Sequence, residues 1–155
     1  MSKQGRPVQE VLRSALEANG QRFTEQRAAV YRFLASTDKH PTADEVFLAV
    51  RSEISVISLA TVYKNLETLV GCGLATKLAG ADGSARYDGR TDPHHHARCL
   101  SCSGMFDVPG SLPPGELSEL RRSAPGFQIT GYRLELTGYC SECAESVAED
   151  RLEPA

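Results

Sequence analysis

The sequence predicts an α+β protein of two small domains. Three observations carry that reading: four segments of helical periodicity fill residues 8–71, a hairpin signal follows them, and past residues 89–93 short strands carry two Cys-x-x-Cys pairs. At 155 residues, with 41% hydrophobic and 24% charged side chains, the chain can bury one ordinary core or two small ones. Collagen, coiled coil and disorder do not fit this composition.

The first helix spans residues 8–19, where Val8, Val11, Leu12, Ala15 and Leu16 recur at helical spacing and Gly20 stops the run. The second spans 24–36 and turns Ala28, Ala29, Phe33 and Leu34 inward. A third opens at Thr42, because Thr42 and Glu45 have the spacing in which each satisfies the other's free backbone N–H. Val46, Phe47 and Val50 form its apolar face. After a turn at 52–57 a fourth helix starts at Ser58, whose hydroxyl caps the N–H of Ala60 or Thr61. Its buried stripe is Leu59, Val62, Leu66, Leu69 and Val70, leaving Ala60, Thr61, Tyr63, Lys64 and Asn65 outward until Gly71 and Gly73 end it. Strands at 74–78 and 85–88, joined through 79–84, complete an N-terminal winged helix-turn-helix.

Beyond the break, residues 94–100 and 105–108 read as strands flanking the first cysteine pair. Leu112-Pro113-Pro114-Gly115 opens a helix to about Arg122, since proline is tolerated in a first turn. Residues 128–137 alternate and deliver the chain to the second cysteine pair, 143–149 form a short helix, and 150–155 fray. The expected domains are therefore 1–87, a linker at 88–93, and 94–155.

The net charge of −3 hides an asymmetry, with 10 Lys/Arg against 9 Asp/Glu in residues 1–85 and 7 against 11 in 86–155. The contrast permits a DNA-binding first half without requiring one. No apolar run approaches the ~20 residues of a membrane span, and the N-terminus lacks a signal-peptide core, so the expected location is cytoplasmic with no membrane partner.

In a reducing compartment the pairs Cys99/Cys102 and Cys140/Cys143 read as metal ligands before disulfides. Four thiolates give a closed tetrahedral zinc site with a structural role, and the 37 intervening residues make it a staple between separate elements. Two unrelated cysteine pairs are the alternative. Cys72 reads as a small apolar residue at a helix end. Three of the four histidines are consecutive, His94-His95-His96, with Asp88 upstream and Asp107 downstream. On a strand His94 and His96 share a face and His95 takes the other, so this is either a metal site or an exposed polar strand. Taken alone, His40 is an exposed turn residue, and Tyr63 and Lys64 face DNA or solvent.

The segments Arg22-Phe23-Thr24-Glu25-Gln26-Arg27, His40-Pro41-Thr42-Ala43-Asp44-Glu45, Ser58-Leu59-Ala60-Thr61-Val62-Tyr63-Lys64-Asn65-Leu66, the stretch from Asp88 through His96 to Cys102, and Cys140-Ser141-Glu142-Cys143 resemble the ferric-uptake-regulator superfamily over nearly the whole chain. The resemblance implies a winged-helix DNA-binding domain, a small α/β dimerisation domain with a four-cysteine zinc site, and a homodimer that binds palindromic operator DNA with a regulatory metal. It is strongest to the peroxide-sensing branch. Carried over, that branch's regulatory ligands fall on His40, Asp88, His94, His96 and Asp107, with His40 and His94 sensitive to oxidation. No histidine follows His96, which favours one regulatory site per subunit.

Nitrogen and oxygen ligands without thiolate suit Mn(II) or Fe(II), and five of them leave one octahedral position vacant. By resemblance, Fe(II) reduces peroxide there and a ligand histidine is oxidised, which ends repression. The event is sacrificial, so no enzyme activity is expected. Expected DNA contacts are Ser58, Thr61, Tyr63 and Lys64 on the fourth helix, with Arg22, Arg27, Lys77 and Arg86 toward phosphates. The competing readings are a repressor of the same architecture that answers to iron or another metal, a hydrolase built on His94 and His96, and a zinc-stabilised adaptor.

Overall fold

The computed structural model describes residues 7–150 and divides the chain into two compact units, Met1–Asp92 and Pro93–Ala155. The expectations for the extreme N-terminus and, from 151 onward, for the frayed tail at 150–155 lie outside the described residues, while Asp150 itself is helical. Most of the expected linker falls inside the first unit, because Asp88 is a paired strand residue opposite Thr76.

In the first unit, α1 Val8–Ala18, α2 Glu25–Ser36, α3 Ala43–Val50 and α4 Leu59–Gly71 precede an antiparallel hairpin of β1 Thr76–Ala79 and β2 Ala85–Asp88. Side-chain oxygens set three helix starts. Thr24 accepts from the Arg27 N–H at 3.1 Å, Ser58 accepts from the Thr61 N–H at 3.1 Å, and Thr42 and Glu45 form a reciprocal box at 3.3 and 2.8 Å. Leu12, Leu16, Val30, Leu34, Val46, Val62, Leu66 and Leu69 interdigitate in one core with Tyr31 and Tyr87, all but excluded from solvent.

Several details depart from the sequence expectation. Val8 is exposed, Phe33 is half-buried against the core, and Leu59 is half-buried. Asn65 is buried instead of outward, because it stands three residues after Val62 and four before Leu69 on the inward stripe; its Nδ2 has no hydrogen-bond partner. The first strand begins at Thr76 instead of 74. The preceding residues still close α4, with Gly73 at φ +71° and N–H bonds from Leu74 to Leu69 O and from Gly73 to Val70 O, so Leu74 and Ala75 enter the core before pairing starts.

The second unit holds β3 His95–Cys99, β4 Met105–Val108, α5 Pro114–Arg122, β5 Glu135–Gly138 and α6 Ser141–Asp150. Its sheet runs β4-β3-β5, antiparallel on the β4 side and parallel on the β5 side. The strand expected over 128–137 is confined to β5 at 135–138, since β3 pairs with it only from His96 to Cys99. The last helix starts at Ser141, two residues earlier than expected, because the Cys140 carbonyl already accepts the Ala144 N–H at 2.8 Å. Among the described residues of this unit, Cys99 and Met105 alone are buried.

No helix among the described residues is long and apolar enough to cross a membrane. Removing the cap oxygen by Thr42→Ala is expected to cost the first unit about 1 kcal/mol, read as a lower urea midpoint of its helical circular dichroism with Glu45→Ala showing a similar loss.

Candidate functional site

Cys99 ends β3 and Cys102 follows in the turn to β4, where Ser103 adopts φ +60° and the Cys99 N–H donates to Gly104 O at 2.9 Å. Cys140 caps α6 and Cys143 lies in its first turn. The four sulfurs all lie within 4.8 Å of one another, and Cys102 Sγ is 3.9 Å from Cys140 Sγ. Tetrahedral zinc with bonds of about 2.3 Å needs sulfurs about 3.8 Å apart, so the donor set fits a structural zinc ion. Backbone N–H groups, that of Cys102 first and then that of Cys140, hold the Cys99 thiol down at about 6. The neighbouring Cys140 sulfur leads the effects that push Cys143 up to about 12.

The register of the sheet sets the next donor set. His96 stands directly opposite Asp107, and His94 lies just ahead of β3. His94 Nε2 is 3.0 Å from His96 Nε2 and 3.1 Å from Asp107 Oδ1, while His96 Nε2 is 3.6 Å from the same oxygen. His95 takes the opposite face and stacks on Tyr132 at 5.5 Å. Two imidazoles and a carboxylate therefore converge as nitrogen and oxygen donors for a borderline or hard divalent ion.

In the first unit, His40 and Asp88 form a second set. His40 Nε2 is 3.4 Å from Asp88 Oδ2, and the residues are 3% and 5% exposed. The exposed turn histidine of the bare sequence reading is thus a buried one. Three consecutive strand residues hold it there. Arg86 donates from Nη1 to the His40 carbonyl at 2.9 Å, the Tyr87 N–H donates to the Pro41 carbonyl at 2.9 Å, and Asp88 presents its carboxylate. The Arg90 N–H donates to Asp88 Oδ1 at 2.8 Å, which orients the other oxygen toward His40. Gly89 lies so close to Leu34 that an added Cβ would meet the Leu34 carbonyl oxygen at 2.5 Å.

On α4, Ser58, Tyr63 and Lys64 are exposed, and Thr61 is half-buried with its hydroxyl 2.9 Å from that of Ser58. The expected phosphate partners divide. Arg22 is exposed, but Arg27 is 7% exposed and spends Nη1 on the Arg22 carbonyl, so burial removes it from a phosphate role. Lys77 is paired with Glu67 at 2.6 Å, and Arg86 faces Glu45 at 3.7 Å besides its bond to His40. Sequence reasoning missed Glu67 and Tyr87, which meet across 20 residues at 2.9 Å; helical and strand periodicity carry no signal for such a pair.

The Ferric uptake regulator family model matches residues 18–137. The chain belongs to this family. It is 36% identical over 133 residues to the "Peroxide-responsive repressor PerR" of Staphylococcus epidermidis, covering 85% of this chain and 87% of the relative. It is 37% identical over 139 residues to the "Peroxide operon regulator" of Bacillus subtilis, covering 86% and 94%. Among solved structures, the ferric uptake regulator Fur of Helicobacter pylori shares the fold at a TM-score of 0.75, with 21% identity over 88% of this chain and 91% of that one.

At neutral pH the Cys143 thiol, held near 12, keeps its proton without an ion, so zinc loading expels protons and affinity falls as pH falls. A chromophoric chelator is expected to strip zinc from the purified protein faster at pH 6 than at pH 8, and Cys102→Ser is expected to lose the ion and the circular dichroism of the second unit together.

Proposed function

We propose that this family member is a metal-dependent transcriptional repressor that releases operator DNA when hydrogen peroxide oxidises a histidine of its regulatory site. The observation that carries the reading is the composition of the two donor sets. His40 with Asp88, and His94 and His96 with Asp107, offer nitrogen and oxygen without sulfur. Two donors or three leave a six-coordinate ion unsatisfied, whereas five leave one position open. We assign all five to one regulatory Fe(II) or Mn(II) per subunit, beside one structural zinc per subunit at Cys99, Cys102, Cys140 and Cys143. The peroxide response named for the 36% identical relative supports the signal.

When bound, Fe(II) supplies the electron that reduces peroxide, and Mn(II) supports repression without that chemistry. His40 and His94 are the imidazoles set to be oxidised. Oxidation of His40 would leave Asp88 as the sole regulatory donor of the first unit. A ligand shifts a two-state equilibrium only by its differential affinity, and moving 1:99 to 99:1 takes about 5.5 kcal/mol, a scale that donors recruited from a second unit can supply. Each response consumes a histidine, so the protein acts stoichiometrically and not as an enzyme, and its place is the cytoplasm with its DNA.

The fourth helix is the proposed reading element, with Ser58, Thr61, Tyr63 and Lys64 toward the major groove and Arg22, Lys77 and Arg86 toward phosphates. A palindromic operator calls for a homodimer. Phe106 and Leu136 stand on either side of Ala97 on one face of the sheet, both 46% exposed, beside a cavity of about 330 Å³ that also takes in Tyr139. That apolar face supports self-association.

The test uses a duplex recovered by in vitro selection with the Mn(II)-loaded protein. Fluorescence anisotropy is expected to show binding with Fe(II) or Mn(II), and loss after brief anaerobic peroxide treatment with Fe(II) alone. Persistence of the Fe(II) complex would replace the peroxide sensor with a metal-supply regulator. His40→Ala is expected to weaken Mn(II)-dependent binding at least tenfold while zinc content stays at one per chain. Phe106→Glu is expected to shift the zinc-loaded protein toward monomer in sedimentation velocity.

A further inference from the structure

Tyr87 is a fully buried residue whose hydroxyl reaches a partly exposed carboxylate on α4. Its ring packs in the core of the first unit at 0% exposure, and its O–H donates to Glu67 Oε1 at 2.9 Å. The same oxygen accepts from Lys77 Nζ at 2.6 Å, and Lys77 stands opposite Tyr87 in the hairpin register, its Nζ 6.0 Å from the Tyr87 ring centroid. Two donors on one carboxylate keep Glu67 ionised below the usual carboxylate range, and burial first, then Glu67, raise the phenol above its ordinary value. Tyr87 is therefore the donor and Glu67 the acceptor, a charge-assisted bond.

Through its backbone Tyr87 holds the other side. Its N–H grips the Pro41 carbonyl beside His40, and the next residue is Asp88. One residue thus touches α4 with its side chain and the His40–Asp88 pair with its main chain, all within the first unit. A hydrogen bond adds to this packing a preferred distance and direction between the Tyr87 hydroxyl and α4.

We propose that Tyr87 and Glu67 are positioning residues that couple the His40–Asp88 metal donors to the DNA-reading helix, so that ordering of the donors is transmitted to α4 by this bond. The inference rests on the metal-dependent repressor reading above. Coupling of this kind is reciprocal: if metal tightens DNA binding by some factor, DNA tightens metal binding by the same factor. Tyr87→Phe keeps the buried ring and removes the oxygen alone.

Two measurements on the full-length, zinc-loaded protein test this. The first is hydrogen exchange of the α4 amides, residues 59–71, with and without Mn(II) and in the absence of DNA. Wild type is expected to slow on Mn(II) addition, and Tyr87→Phe to lose most of that slowing although it stays cooperatively folded and its Mn(II) stoichiometry matches wild type. The second is the ratio of duplex affinities with and without Mn(II), expected to fall about three- to tenfold in Tyr87→Phe and in Glu67→Ala. The double variant should lose no more than either single one, and Glu67→Gln, which retains an acceptor oxygen, should recover part of the loss.

The outcomes separate the two ideas. If wild type responds to Mn(II) in both measurements and Tyr87→Phe responds equally, the coupling role is overturned and the repressor reading stands. If wild-type duplex affinity does not depend on Mn(II), both fall. Additive losses in the double variant would also overturn the coupling, because they would mean that the two side chains act separately.

Discussion

One backbone hydrogen bond, from the Tyr87 N–H to the Pro41 carbonyl, fixes much of what the first unit can do. It joins residues 46 positions apart, and around it sit the Arg86 bond to His40, the Thr42–Arg86 bridge and the contact of His40 with Asp88. Such a bond within a buried segment is held by necessity, since an unpaired buried amide would cost roughly 1–3 kcal/mol. The hairpin is therefore not an appendage of the helices. It is docked along the residues that start α3, and the capping box at Thr42 and Glu45 holds the same stretch from the other side. The His40 and Asp88 side chains then sit on a framework whose positions are set by the main chain.

The second unit is built differently. With Cys99 and Met105 as its buried residues among those described, it lacks the aliphatic interior that stabilises the first. Four sulfurs from two distant turns take the place of that interior, joining the end of β3 to the start of α6. Small domains that cannot bury enough surface rely on such cross-links. The Arg98 guanidinium adds a bidentate bond to Glu135 between neighbouring strands, at 2.9 and 3.0 Å, but it lies at a partly exposed site and contributes mainly register.

Much of this architecture was legible in the sequence for physical reasons. Apolar spacing marked α1 to α4 because one face of each is buried in the aliphatic core of the first unit, and the cysteine spacing marked the metal cluster because two thiol pairs in tight turns match the ligand spacing of a zinc site. The strand at 128–137 was overread, since alternation of Ile129, Leu134 and Leu136 reports side chains that can face two ways, not whether a neighbouring strand is there to pair with them. Asn65 is buried against expectation because a polar residue on the inward stripe breaks the pattern that defines the stripe. Arg27 looked available because charge is visible in a sequence and burial is not. His40 shows the same limit in reverse: a histidine before a helix looks solvated until a strand from 46 residues onward covers it.

The contrast between the two interiors has a thermodynamic consequence. A unit held together by an ion has a stability that includes the ion's concentration, rising by about 1.4 kcal/mol for each tenfold increase in free zinc once binding is saturating. A unit held together by leucines has no such term. Zinc concentration thus enters the stability of the second unit and not that of the first. Loss of zinc therefore weighs on the sheet that carries His94, His96 and Asp107, and not on the core that carries His40 and Asp88.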